Sequence, residues 1–401
     1  MNEANRLSSF SQLKDRFSTI WKNSGDSIKF GTLVYALTRL WLTLVSVFIF
    51  FKIPILSPSV SGGSYTDVIP LLTGWRGALL GMWQRWDTIH YQSIAQWGYN
   101  KPYITAFFPG YPVLGHAVSR LLQISNLAGL LLVSNLFAWL SLILLHHIVK
   151  SLYDQHTANL ALIFLVTFPS SFFLFAGYPQ SMVLCCILFC YWEAKQGHWF
   201  WAALAALVAG LTHGTVVPLS LMLAWQGFQT LKSSRFSIRW AIALVPLMPV
   251  AGIGLFLSWR ISQGYEQYAS FMRQSWFRVY QASWNTLILG FKNLINFLDI
   301  VIFINCLICL LIIFAVVWSV KKLPGELKIY SISLAVFLFS TGTSFDPLHS
   351  INRYALVMFP TFIYLAVITA QNKKLRLALI EFNFIFYIYF CYLFFTWGWV
   401  G

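Results

Sequence analysis

The residues best suited to chemistry in this chain are gathered between Trp83 and Pro112, in the run WQRWDTIHYQSIAQWGYNKPYITAFFPGYP. Asp87 stands between Trp86 and a Thr, with Arg85 two residues before it and His90 three residues after it. At that spacing His90 shares a helical face with Asp87. A carboxylate so placed can accept a proton from a hydroxyl, and an imidazole beside it can orient it or touch the substrate. The competing reading of Asp87 is an ion pair with Arg85 or His90. The Trp residues of this stretch, with Trp75 and Leu79 before them, equally suit an aromatic belt at a membrane surface.

The surroundings make that polarity notable. Of 401 residues, 58% are hydrophobic and 10% charged, whereas a soluble domain is normally about a quarter charged. The composition is that of an all-α polytopic membrane protein. The net charge of +15 does not point to nucleic acid, because Lys and Arg collect in short connectors between apolar runs, the pattern of cytoplasmic loops. Cys185, Cys186, Cys190, Cys306, Cys309 and Cys391 lie inside apolar runs and read as small buried hydrophobes.

Residues 1–29 read as a polar cytoplasmic tail, and residues 30–401 as one membrane domain. The apolar run after the tail reads as a retained span, not a cleaved signal. About eleven transmembrane helices are expected on length and hydropathy: 30–51, 127–149, 158–176, 180–194, 199–212, 215–228, 240–261, 298–320, 329–345, 354–370 and 377–397. The runs between Gln180 and Phe228 are short. Residues 52–126 form a first outer loop with interfacial helices, and residues 263–297 a second long outer loop. The connectors holding Lys232, Lys321 and Lys373 all face inward only if 107–122 does not cross the membrane. That segment is therefore expected to lie along the outer interface.

On this topology five polar islands share the outer side: the Asp87 loop, the turns at Tyr178–Gln180 and Thr212–Gly214, and the loops 264–297 and 346–353. The outer acids are Asp67, Asp87, Glu266, Asp299 and Asp346, and the outer imidazoles His90, His116, His213 and His349. Asp67 reads as a turn residue in a Ser/Gly-rich loop. Asp346 suits a turn and a site equally. A transporter would instead place polar groups near the midplane of two related halves, and no internal repeat is evident.

The block WDTIHYQSIAQWGY followed by AFFPGYP resembles the PIG-V type (GPI mannosyltransferase 2-like) mannosyltransferase family, with its W-D-x-x-H/W-F/Y-x-x-I-A-x-x-G-Y block and later F-F-P-x-Y/F-P. FPSSFFLFAGYPQSMVL looks like that family's P-x-S-x-F-F-x-x-x-Y-S-E-S-x-F segment, and NRYALVMFP its R-Y-x-x-x-x-F-P block. Pro179 and Gln180 replace the usual Ser and Glu, and His213 stands where an Arg is often found.

The resemblance implies a GT-C glycosyltransferase fold. It also implies a mannosyltransferase using a polyprenyl-phosphate sugar as co-substrate, with no other cofactor and no metal. Asp87 would be the general base of an inverting transfer to a lipid-linked or extracytoplasmic glycan acceptor. Arg353 and Tyr354 would take the donor phosphate, with Arg273, Arg278, Lys292 and His213 as further candidates. Trp86, His90, Tyr91, Tyr178, Gln180 and His349 would bind substrate. A bacterial plasma membrane, with the site outside the cytoplasm, is the expected location. The rival readings are a lipid or polyprenyl-glycan transporter and a membrane acyltransferase built on His146 or His147.

Overall fold

The computed structural model describes residues 25–55, 67–231, 240, 242–319 and 322–400. The basic cluster Lys232/Arg235/Arg239 and the tail before residue 25 lie outside the described residues. Helices dominate the chain, as its long apolar runs require. Those of more than eight residues are α1 Gly25–Lys52, α2 Asp87–Trp97, α3 Gly110–Leu122, α4 Asn126–Leu152, α5 Gln155–Thr167, α6 Gln180–Lys195, α7 Trp199–Thr212 and α8 Leu219–Leu231. They continue with α9 Met248–Ser262, α10 Tyr268–Trp276, α11 Ser283–Phe297, α12 Ile300–Ser319, α13 Gly325–Phe339, α14 Phe359–Thr369 and α15 Lys373–Phe395.

Five of the described helical segments are long and apolar enough to cross a membrane: Gly25–Lys52, Asn126–Leu152, Ile242–Ser262, Ile300–Trp318 and Lys373–Phe395. A sixth is a pair bent by 77°, Ile351–Val357 with Phe359–Thr369. The chain is a multi-pass membrane protein. The remaining apolar runs fold as shorter helices, such as α6 with 16 residues, α7 with 14 and α13 with 15. At 1.5 Å per residue these reach roughly 20–24 Å, short of the roughly 30 Å hydrocarbon core. Their lengths therefore do not establish the expected eleven crossings.

The two ends of the bundle differ in chemistry. At one end Lys150 pairs with Asp26 (2.6 Å) and Lys195 with Glu326 (3.1 Å). There also Arg376 meets His156 (3.0 Å) and Tyr153 donates to the Lys322 carbonyl (2.7 Å). At the other end the short helices α6, α7 and α13 begin or stop at polar turns.

Helix α3, expected to lie along the outer interface, packs against the first turns of α4. Tyr111 reaches the Leu130 carbonyl (2.9 Å) and Ser134 (2.7 Å), and Ser119 reaches the Ser125 carbonyl (3.3 Å). Partner numbers fall as its own rise, so α3 runs antiparallel along the first turns of α4. Small residues allow the approach: a Cβ on Gly129 would stand 2.0 Å from the Ser119 hydroxyl, and one on Gly115 2.4 Å from Leu130. Thirteen residues span only about 20 Å.

The expected Trp75–Leu79–Trp83–Trp86 stripe is also broken. Gly74–Leu79 is a six-residue helix, followed by a tight 3-10 turn at Gly81–Trp83. Gly81 sits so close to the Leu71 carbonyl that a Cβ would be 1.9 Å away. Gln84 then holds the turn by accepting from the Leu71 N–H and donating to the Ile69 carbonyl, both at 3.0 Å. Trp75 consequently faces out, 64% exposed, while Trp83 is wholly buried. Helix α2 is buried at seven of its eleven positions, so it is a packed element and not an amphipathic helix floating at a surface.

One short ribbon completes the polar end. Strand β1 (Arg278–Tyr280) pairs antiparallel with β2 (Thr341–Thr343), Arg278 opposite Thr343 and Tyr280 opposite Thr341. A Cβ on Gly342 would collide with the Pro347 carbonyl at 2.3 Å. The ribbon ties the second long loop to the late loop and sets the position of Arg278.

Candidate active site

Asp87 is the first residue of α2, and the backbone before it is unusual. Trp86 adopts φ 50°, ψ −123°, a conformation costly for a bulky residue and common where a site fixes a side chain. The Trp86 ring is wedged edge-on against Trp397 (5.5 Å) and Trp399 (5.0 Å). The Asp87 N–H donates to the Tyr178 hydroxyl (3.2 Å). The Tyr178 backbone is pinned in turn, because Ser134 donates to its carbonyl (3.2 Å). A carboxylate on the first turn of a helix also gains from the helix dipole.

The carboxylate's charge partner is Arg353, whose Nη1 contacts Oδ2 of Asp87. Neither Arg85 nor His90 takes that part. Arg85 is buried and spends its donors on the carbonyls of Gly81 (2.7 Å), Gln84 (3.2 Å) and Phe395 (3.4 Å). His90 was expected beside the carboxylate. Its ring instead packs among Phe107 (5.0 Å), Tyr103 (5.7 Å) and Trp276 (6.0 Å), outside the cavity lining, and burial lowers its pKa. Helical spacing put the two side chains on one side of α2, and the aromatic residues of the outer loops then enclosed the imidazole.

Arg353 continues into a chain of cations. Its Nη2 donates to the Tyr354 hydroxyl (3.3 Å), and Arg278 Nη2 donates to the same oxygen (3.1 Å). Two guanidinium groups thus share one phenolic oxygen, with one carboxylate between them. Arg353 is only 9% exposed, and its Nε has no partner among the described residues.

These groups open into a cavity of about 330 Å³ that draws residues from all five polar islands. Asp87, Tyr91, Gln180, His213, Arg278, His349, Arg353 and Tyr354 all line it. Trp86 and Tyr178 stand behind Asp87 and hold it. Arg273 and Lys292, expected as phosphate ligands, are exposed on α10 and α11 and lie outside the lining. The second loop turns only its Tyr268, Met272, Trp276, Arg278 and Tyr280 inward. Those aromatic residues, Thr341 and Trp399 were not singled out from the sequence. The cluster WGW after the last apolar run is the one sequence signal that could have found Trp399.

Two residues of the lining also carry unsatisfied polar atoms. Gln180 Oε1 and His349 Nδ1 are buried without a hydrogen-bond partner among the described residues. The nearest acid to His349 is Asp346, at 3.8 Å. Burial raises the Asp346 pKa. His213 accepts the Thr215 N–H at Nδ1 (3.2 Å), which leaves its other ring nitrogen to carry the proton. Burial, reinforced by Arg353 and Arg278, lowers the His213 pKa to about 3. His349 is likewise lowered to about 3 by burial and then by the same two cations. Both rings are therefore neutral hydrogen-bonding groups at neutral pH, not cations.

This has a consequence for pH. Unfolded imidazoles titrate near pH 6.5, so between about 3 and 6.5 the unfolded chain binds more protons than the folded one. Stability then rises with pH across that window and is lost as pH falls. In lipid nanodiscs the melting temperature should drop on going from pH 7 to 5, and a His213→Asn/His349→Asn variant should show a flatter slope. An identical slope in that variant would remove these two rings as its source.

The fold and site together define a helical multi-pass membrane protein with a largely apolar cavity at one end of the bundle, into which a carboxylate and two guanidinium groups are set. In sequence the chain is similar to GPI alpha-1,6-mannosyltransferase 2 of Rattus norvegicus, 30% identical over 184 residues, which is 43% of this chain and 35% of that protein. The Mus musculus protein of the same name is 31% identical over 156 residues, 36% of this chain and 32% of its own length. This similarity agrees with the resemblance of the Trp86–Asp87 block to the PIG-V type mannosyltransferases. The match spans about a third of those relatives' length. No family model matches. Among solved structures, the oligosaccharyltransferase of Archaeoglobus fulgidus in its apo form aligns over 90% of this chain and 55% of that chain, with 13% identity and a TM-score of 0.40. The archaeal oligosaccharyltransferase AglB from Archaeoglobus fulgidus, in complex with an inhibitory peptide and a dolichol-phosphate, aligns over the same shares with 12% identity and a TM-score of 0.40.

Proposed function

We propose that this protein is a GT-C type membrane glycosyltransferase that moves mannose from a polyprenyl-phosphate donor to a hydroxyl of a lipid-linked or extracytoplasmic acceptor. The observation that carries this reading is the linked set Asp87–Arg353–Tyr354–Arg278 inside one cavity. Similarity to mannosyltransferases over the matched stretch supports the sugar.

Arg353 occupies only Oδ2 of Asp87. In the proposed reaction Oδ1 takes the proton of the acceptor hydroxyl as its oxygen attacks the anomeric carbon from the side opposite the phosphate. The bond from that carbon to the phosphate oxygen breaks and the configuration inverts. The leaving lipid phosphate carries its own negative charge, so it needs cations and not a general acid. Arg278 meets that need best, because Arg353 is already engaged by the base. Tyr354, accepting from both arginines, still has its own O–H to give. The neutral His213 offers a further donor. Positioned general-base catalysis contributes roughly 10²–10⁴-fold, and preorganised cations add to it. No other cofactor enters this scheme.

We place the cavity on the outer face of a bacterial plasma membrane, with the Lys150, Lys195 and Arg376 end of the bundle in the cytoplasm. The test is transfer by protein reconstituted in nanodiscs, supplied with a short polyprenyl-phosphate carrying labelled mannose and a panel of glycolipid acceptors. Label should appear in an acceptor with inverted anomeric configuration. Donor that is neither bound nor consumed would sink the assignment.

A further inference from the structure

Trp399 has a position that the reaction as described leaves unused. It is a large apolar side chain 43% exposed, yet it lines the cavity that holds Asp87 and Arg353. His349 stacks on its ring (5.1 Å, 26° between planes), and Trp86 meets it edge-on (5.0 Å, 85°). Its strand of chain is fixed too, since the buried Asn352 side chain donates to the carbonyl of Val400. Trp86 immediately precedes the proposed base, and Asn352 immediately precedes its cation partner. The indole is therefore held in register with both charged groups, and it lines the same cavity as they do.

A Trp serving only as a membrane anchor would face outward into the interface. An indole held by His349 and Trp86 in a largely apolar cavity that also holds charged groups fits a ligand that has both an apolar face and hydroxyl groups. A pyranose is such a ligand. The axial C–H bonds of one ring face carry partial positive charge and sit well on the negative face of an aromatic ring. Its hydroxyls need hydrogen-bonding groups, and Asp87, Gln180 and His349 line the same cavity.

We propose that Trp399 is the platform for the acceptor's sugar ring, so the acceptor presents a pyranose hydroxyl to Asp87. This rests on the transferase reading above, and it restricts the acceptor to a glycosylated molecule. Trp399 is then a specificity-determining residue: it selects the acceptor by ring shape and leaves the donor phosphate to the arginines.

The experiment uses full-length protein in nanodiscs and methyl α-D-mannopyranoside as probe, with farnesyl phosphate added to occupy the donor's phosphate site. Saturation-transfer-difference NMR reports which sugar protons approach the protein. Wild type should saturate the protons of one ring face, Trp399→Ala should lose at least five-fold of that signal, and Trp399→Phe should keep most of it. The Phe variant guards against misfolding as the cause. Ring-face saturation unchanged in Trp399→Ala, or absent in wild type, would overturn the platform. Because this reads binding and not turnover, a wild type that shows the pattern but never transfers mannose would discard the transferase reading and leave the sugar platform standing.

Discussion

Asp87→Asn is expected to lower the turnover of mannose transfer by about a thousand-fold or more, and to destabilise the protein at the same time. The catalytic loss follows from removing the proposed proton acceptor, since general-base catalysis contributes roughly 10²–10⁴-fold. The stability loss has a different cause. Arg353 is 9% exposed and its guanidinium contacts the Asp87 carboxylate. Removing one partner of a buried ion pair strands the other, a cost of about 3–5 kcal/mol.

The two effects can be separated, because their causes lie on different atoms. Neutralising the stranded cation as well, in an Asp87→Asn/Arg353→Gln double variant, should restore most of the melting temperature, since an amide pair can hydrogen-bond in place of the ions. It should restore none of the turnover. Recovery of both would mean that Asp87 acts only by holding Arg353, and the base would have to be sought elsewhere. Asp87→Asn with an unchanged melting temperature would show that the pair does not carry the structural weight its burial implies.

The sequence made the polar islands visible for a simple reason: charged and hydrogen-bonding side chains stand out against apolar runs. It also located each apolar helix, because hydropathy reports burial in lipid or protein alike. It could not tell those two apart. Helices α6 and α7 read as short spans and α13 as an ordinary one, and in the fold each meets the cavity at one end. Pairing was hidden as well. Asp87 and Arg353 are 266 residues apart, and no local pattern announces that one neutralises the other. Local patterns even misled, since His90 has the right helical spacing from Asp87 but sits enclosed by Phe107, Tyr103 and Trp276. Trp399 was passed over because a Trp beside an apolar run has an ordinary explanation at a membrane surface. Only its place beside His349 and Trp86 removes it from that class.

In the proposed reaction the same pairing favours Arg278 as the cation that meets the lipid phosphate, and it moves the largest expected binding effect from Arg353 to Arg278. A guanidinium already bound to a carboxylate has less to give an incoming phosphate than one that is not. Arg278 donates to the Tyr354 hydroxyl (3.1 Å), and no carboxylate pairs with it among the described residues. It is also held in place by the β1–β2 ribbon, with Arg278 opposite Thr343. A preorganised cation of this kind makes charge-assisted hydrogen bonds worth about 1.5–3 kcal/mol each. Arg278→Gln should therefore raise the donor's KM by roughly 10- to 100-fold, while the acceptor's KM changes far less. Arg278→Lys should recover part of the loss, since it keeps the charge but not the planar fork that grips two phosphate oxygens. Arg273→Gln and Lys292→Gln, which alter exposed side chains outside the cavity, should leave the donor's KM within about two-fold, as exposed charges contribute little. A donor KM untouched by Arg278→Gln but raised by Arg273→Gln would place the phosphate on the outside of the second loop. The cavity with Asp87 at its centre would then no longer be where the donor sits.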